Sequence, residues 1–189
     1  MAAFMLRYTY MQGMNFSDPR SNVLQLGLKD GMKVAEFGAG SGHWVVAAAH
    51  AVGHAGRVYA IDIQEELLGH VKDVAHRAGL RNVETIWGNV ERPGGTKLRP
   101  QTLDAGVLAN TLFQLEHKEA AFAEIKRVMK PGGKLLVVDW AGAYGGMGPD
   151  TRHVVSEQAA EKLCIEAGFH KVKSFRAGAH HYAIVVAAP

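Results

Sequence analysis

Val34-Ala35-Glu36-Phe37-Gly38-Ala39-Gly40-Ser41-Gly42 is a short apolar run that ends in three glycines at alternate positions, and a second apolar segment, His43 to Val52, follows at once. Val34 and Phe37 suit a buried strand, and the Ala/Val-rich segment behind them has the length of a helix packed on a sheet. A strand that turns so sharply into a helix needs glycine, which takes positive φ at little cost and lets a ligand come close to the backbone. The free amides at the helix start then point at whatever fills the turn.

Three readings of this turn compete. A phosphate-cradling loop requires two glycines four residues apart followed by Lys-Ser/Thr, and no such tract follows Gly38. A dinucleotide fingerprint places its third glycine at position 43, where this chain has His43, so Gly42 comes one residue early. A tight strand-to-helix turn that binds nothing is the third reading, and the remainder of the chain has to choose.

The chain has 189 residues, 48% hydrophobic and 21% charged, which suits one α/β domain with a substantial core. Its 21 Lys+Arg exceed its 18 Asp+Glu by only three, with no block of basic residues of the kind that grips nucleic acid or lipid. Cys164 is the single cysteine, which rules out an intrachain disulfide framework or cysteine-held metal cluster and favours a reducing, cytoplasmic setting. Met1 to Phe16 is rich in Met and aromatic residues, yet Arg7, Thr9 and Gln12 interrupt it before a secretory core forms, and no segment is long enough for a membrane span. Ser17-Asp18-Pro19 reads as a capped helix start leading into Val23, Leu24, Leu26 and Leu28. Residues 1–30 are therefore expected to form an arm and helix ahead of the main domain at 31–189, as a packing element or, alternatively, as a lid or a homodimer contact.

From Met32 onward strands and helices alternate. Strands are expected at Lys33 to Phe37, Arg57 to Asp62, Val83 to Trp87, Leu103 to Ala109, Lys134 to Asp139, Val172 to Arg176 and Tyr182 to Ala187. Helices are expected across His43 to Val52, Glu65 to Ala78, Lys118 to Met129 and Ser156 to Ala167. This rhythm predicts a doubly wound, Rossmann-like α/β sheet of seven strands, mostly parallel. The five residues Ala177 to His181 are too few for a helical crossover, so the last two strands should form an antiparallel hairpin at one edge.

Ligands of such sheets lie beyond the carboxyl ends of the strands. Asp62 ends the second strand, where a carboxylate can accept from both hydroxyls of a ribose lying across the glycine turn; a helix cap is the simpler alternative. Trp87-Gly88-Asn89-Val90 ends the third, where an amide side chain and a backbone amide could read an adenine edge with Ile63 against its face. Leu108-Ala109-Asn110-Thr111 ends the fourth.

Together these residues resemble the class I S-adenosylmethionine-dependent methyltransferases, over nearly the whole chain after about residue 30. The resemblance implies that Glu36 helps hold the methionine end of S-adenosyl-L-methionine, that Gly38, Gly40 and Gly42 let the cofactor lie on the backbone, and that Asp62 holds the ribose. It sets Asn89 and Val90 at the adenine, beside Ile63, although an aspartate is commoner where Asn89 stands. Ala109 and Asn110 fall near the methionine amino group and the transferred methyl. Met129-Lys130-Pro131-Gly132-Gly133-Lys134-Leu135 looks like the family's turn into strand five, a structural role.

A sulfonium is an activated donor, so methyl transfer asks chiefly for alignment and exclusion of water. A hydroxyl or ammonium acceptor would gain from a base, and His153, between strand five and the last helix, and His181, at the start of the last strand, are the candidates. Asp139 is an available carboxylate at the same edge, but no acidic trio accompanies it, and His50 and His54 end their helix towards solvent; no metal is expected. The acceptor is expected to be a small molecule enclosed by the arm and the loop Ala141 to Pro149. RNA or protein methylation, and a non-catalytic S-adenosylmethionine-binding protein, are the alternatives.

Overall fold

The computed structural model describes residues 17–189. Its centre is β1 (Lys33–Phe37), buried at every position after Lys33, as a strand covered on both faces must be. The chain runs from there to β2 (Arg57–Asp62) and β3 (Val83–Trp87) on one side, then returns to β4 (Leu103–Ala109) and β5 (Met129–Trp140) on the other. The last strands are β6 (His170–Arg176) and β7 (His181–Ala187), giving the spatial order β3-β2-β1-β4-β5-β7-β6. β1 to β5 pair in parallel, and β7 lies antiparallel between β5 and β6, so the expected terminal hairpin is present with its second strand inside the sheet. β7 is buried along nearly its whole length, whereas β6 is exposed at all but one position.

Helices cover both faces. α1 (Pro19–Val23) and α2 (His43–Ala51) contribute Val23, Trp44, Val45 and Ala48 to one buried layer, which also takes Val71 from α3 (Glu65–Arg77). α4 (Lys118–Val128) and α5 (Glu157–Glu166) contribute Phe122, Ile125, Val128 and Cys164 to the other. Successive strand residues alternate between the layers: Val34 and Val138 face α2, while Phe37 and Val137 face α4 and α5.

Several boundaries differ from expectation for local reasons. Asp18 caps α1 by accepting from the Arg20 and Ser21 amides, but the helix lasts five residues, continues as a short 3-10 turn over Leu24–Leu26, and stops where Gly27 turns left-handed. Ser156 caps α5 from outside by accepting from Ala159, and Val52, Ala78, Met129 and Ala167 likewise lie just past the helices they were expected to end. β5 begins at Met129 instead of Lys134, because Met129 pairs with Leu103 before the register jumps and resumes at Lys134 opposite Ala105. The Pro131-Gly132-Gly133 turn is thus a bulge within the strand, with Gly132 at φ +72°. β6 starts two residues early at His170 and β7 one early at His181. The aromatic run Met1 to Phe16 lies outside the described residues. No helix among the described residues is long and apolar enough to cross a membrane.

Candidate functional site

The strand order reverses between β1 and β4, and in open α/β sheets the ligand crevice lies beyond the carboxyl ends of the strands at such a switch point. The glycine turn forms one wall. Gly38 and Ala39 donate their amides to the Ile61 carbonyl at 2.8 and 3.0 Å, tying the turn to β2. Gly38 is left-handed at φ +85°, and a Cβ there would run into the side chain of Thr111, so the turn that follows β4 presses directly on the turn that follows β1. Gly42, at φ +80°, opens α2 beside Val71 of α3.

Asp62 is buried, and its carboxylate closes the same turn. One oxygen accepts from Gly40 at 3.0 Å and the other from Gln64 at 2.9 Å. Gln64, not Asp62, is the capping position of α3. Asp62 therefore holds the glycine turn against β2 as well as standing where the resemblance sets the ribose. Ile63, the next residue, is 59% exposed, and its carbonyl accepts from the Trp87 indole at 3.0 Å.

Glu36 points from β1 towards the start of α2. Its carboxylate is fully buried, accepts from the Val45 amide, and has a second oxygen with no protein partner. Desolvation, helped by the nearby Asp62 charge, pushes its carboxyl well above the usual range. Across the crevice Asn110 is left-handed at φ +54°, with its amide on Val138 at 2.9 Å and its carbonyl accepting from the Gln114 side chain at 2.8 Å. Its side-chain carbonyl oxygen is also buried without a protein partner. Ala109, just before it, is buried in the α2-side layer.

At the third strand end Val90 is buried, and the Asn89 side-chain oxygen turns back to accept from the Glu91 amide at 2.8 Å. The loop beyond is anchored from α4. Glu124, 2% exposed, accepts from the Gly94 and Thr96 amides at 2.9 and 3.2 Å, from the Thr96 hydroxyl at 2.6 Å and from Arg127 at 2.7 Å. These donors hold its carboxyl down to about 2 despite burial. Gly95 passes the constraint on, since its carbonyl accepts from the Asn89 amide at 3.1 Å. Glu124 and Thr111 were not among the residues read as functional; the Glu124/Arg127 spacing of three on a helix was the one available signal.

At the carboxyl end of β5 the rings of His181, Trp140, Tyr144 and His180 form a ladder, with centroids 4.3 Å apart for His181–Trp140, 6.3 Å for Trp140–Tyr144 and 4.2 Å for Tyr144–His180. Burial pushes the His181 imidazole down to about 4, so it is neutral at pH 7. His153 is exposed, in a turn where its amide donates to the Asp150 carbonyl at 2.8 Å. The structure places Glu36, Gly38, Gly40, Asp62 and Asn110 at or just beyond the carboxyl ends of β1, β2 and β4, while His153 is exposed to solvent. Among the described residues no three of His, Cys, Asp or Glu converge as a metal-ligand set. A polar cleft of about 360 Å³ between α1 and the β6–β7 turn, lined by Asp18, Asn22 and Arg176, lies away from the glycine turn.

The crevice suits a cationic amino-acid end. Two buried oxygens without protein donors, one on a carboxylate and one on an amide, flank a turn whose backbone is open to a ligand. Comparison with known proteins shows the family. Residues 28–177 match the methyltransferase domain family. The chain is 31% identical over 119 residues to the ubiquinone/menaquinone biosynthesis C-methyltransferase of Cupriavidus taiwanensis, covering 63% of this chain and 47% of that protein. It is 32% identical over 113 residues to the demethylmenaquinone methyltransferase of Bacillus mycoides, covering 59% and 46%. The chain spans about half the length of these curated relatives. A SAM-dependent methyltransferase of Aquifex aeolicus superposes with a TM-score of 0.83 at 29% identity, over 91% of this chain and 90% of that one. Phosphoethanolamine N-methyltransferase 2 of Haemonchus contortus, solved with S-adenosyl-L-methionine, shares the fold at TM-score 0.74 and 13% identity, over 90% and 52%. With its strand order, glycine turn and family match in accord, the chain belongs to the class I S-adenosylmethionine-dependent methyltransferases.

Proposed function

We propose that the protein transfers the methyl group of S-adenosyl-L-methionine to a small-molecule acceptor and releases S-adenosyl-L-homocysteine. The observation that carries this reading is the pair of buried, protein-unsatisfied oxygens on Glu36 and Asn110, because leaving such atoms without donors costs about 1–3 kcal/mol each. An ammonium supplies those donors. The Glu36 carboxylate neutralises the amino-acid end, the glycine turn lets the ligand lie on the backbone, and Asp62 offers its remaining acceptor capacity to ribose hydroxyls. Ile63 and Val90 supply apolar surface for the adenine, and the free NH2 of Asn89 a donor. Bound there, the sulfonium supplies an activated methyl, and the chain's task is alignment and exclusion of water.

A small acceptor is favoured by the curated relatives, one named as a ubiquinone/menaquinone biosynthesis C-methyltransferase and the other as a demethylmenaquinone methyltransferase. A hydroxylated aromatic ring is accordingly the first acceptor to test. His153, and less directly His181, are proposed as proton acceptors where the acceptor must lose a proton; at about 4 the His181 imidazole is a weak base and better suited to supporting Trp140.

Calorimetry tests the donor, with S-adenosylhomocysteine expected to bind and NAD to be inert; the opposite pattern overturns the reading. Methyl-labelled cofactor incubated with cell extract and fractionated by size tests the acceptor. Label in small molecules supports the proposal, and label in RNA or protein refutes it.

A further inference from the structure

Asp139 is the one deeply buried carboxylate at the crevice that the cofactor reading leaves without a task. It is the penultimate residue of β5 and 1% exposed, where an ionised carboxylate is costly unless donors surround it. Three backbone amides do so. One oxygen accepts from Trp140 at 2.7 Å, the other from Phe113 at 3.1 Å, and Leu112 donates as well. Leu112 and Phe113 open the 3-10 turn Leu112–Gln114, whose first amides have no partner within the turn itself.

That turn follows Asn110 directly. A non-glycine residue at φ +54° persists only where its surroundings hold it there, and Asn110 is held on both sides. Its amide donates to Val138, the neighbour of Asp139 on β5, and the chain two and three residues later is bound by the Asp139 carboxylate. Between them Thr111 presses on Gly38, so the turn cannot shift without disturbing the glycine wall.

We propose that Asp139 is a positioning residue for the methionine end of the site, fixing the left-handed Asn110 and its side-chain oxygen through the Leu112–Gln114 turn. The proposal rests on the S-adenosylmethionine reading above. Asp139 does not touch the ligand; it acts through backbone amides, using both oxygens as acceptors. Burial pushes its carboxyl up to about 6, so at pH 7 it is ionised and can accept on both.

The test compares S-adenosylhomocysteine with methylthioadenosine, which lacks the amino-acid end, by calorimetry at pH 7.5. Asp139→Asn keeps the shape but turns an NH2 towards a backbone donor. It should weaken S-adenosylhomocysteine about tenfold and leave methylthioadenosine within about twofold. In an Asn110→Ala background the same change should cost little more, because the group being positioned is gone. Gln114→Ala removes an exposed tether on the same residue without threatening the fold, and should show the same selectivity at about threefold. Equal weakening of both ligands, additive losses in the double variant, or unchanged S-adenosylhomocysteine affinity in either single variant overturns the proposal. Failure of the unmodified protein to bind S-adenosylhomocysteine overturns the cofactor reading instead, so the two failures are distinguishable.

Discussion

The two walls of the crevice are built in different ways. On the β1–β2 side the constraints are carried by residues close in sequence or on paired strands. Gly38 and Ala39 bond to Ile61, and one carboxylate, Asp62, holds Gly40 and Gln64. On the β4–β5 side and in the loop after β3, the same task falls to carboxylates delivered from distant elements. Asp139 on β5 holds Phe113, and Glu124 on α4 holds Gly94 and Thr96. Glycines give the first wall its shape by permitting a tight backbone path, whereas the second is kept in place by buried acceptors on other elements, even where it also contains glycine, as at Gly94 and Gly95.

The contrast can be broken most forcefully at Glu124. Its carboxyl is held at about 2 against 4.5 unperturbed, so it stabilises the fold fully above about pH 4.5 and loses that contribution as pH falls towards 2. The difference corresponds to on the order of 3 kcal/mol. Glu124→Gln should lower stability at pH 7 by a large part of that amount and flatten the acid limb of a stability-versus-pH curve from urea titrations. An unchanged limb would show that α4 does not anchor the loop electrostatically.

Next comes the local wall. Asp62→Ala removes the acceptor for Gly40 and Gln64 together with the proposed ribose contact, and should weaken S-adenosylhomocysteine by roughly 1.5–3 kcal/mol in calorimetry. A loss below threefold would mean that neither role matters to binding.

Glu36 sharpens the comparison through protons. Its raised pKa means that it holds a proton further up the pH scale than an ordinary glutamate, and a cationic ligand beside it should lower that pKa. Binding should therefore release protons, visible as a dependence of binding heat on buffer ionisation enthalpy, and affinity should rise with pH. Glu36→Gln should abolish most of the release and weaken binding by about 1 kcal/mol. Buffer-independent heats in the parent protein would place the ammonium elsewhere.

The smallest effect is expected at His153, which is exposed and outside both walls. His153→Ala should leave S-adenosylhomocysteine affinity unchanged and slow methyl transfer by about tenfold or less. Full turnover would remove it from the mechanism.

The same contrast explains what could be read from the chain alone. The central strands were legible because burial on both faces leaves apolar runs between turn residues, and the glycine turn because its backbone requirement is contiguous in sequence. The start of β5 was not. Pro131-Gly132-Gly133 carries the composition of a turn, and only the pairing of Met129 with Leu103 reveals a bulged strand. The local bond by which the Asn89 oxygen accepts from Glu91 was not legible either, since it depends on the turn that the chain makes after β3. Glu124 left almost no trace because its partners lie about thirty positions earlier, a separation that has no periodic signature.

The threading of β7 between β5 and β6 has a consequence for how the molecule comes together. Among the described residues β6 pairs with β7 alone and the outer edge of β5 is covered by β7, so neither is completed until residues 181–187 are available. During synthesis β5 must wait with a row of unpaired backbone N–H and C=O groups along that edge after its own residues have emerged, and the hairpin has to dock as a unit. A chain cut at His180 would lose the hold on two strands instead of one, and with it the His181 ring beside Trp140, with every residue of the proposed cofactor site still in the chain.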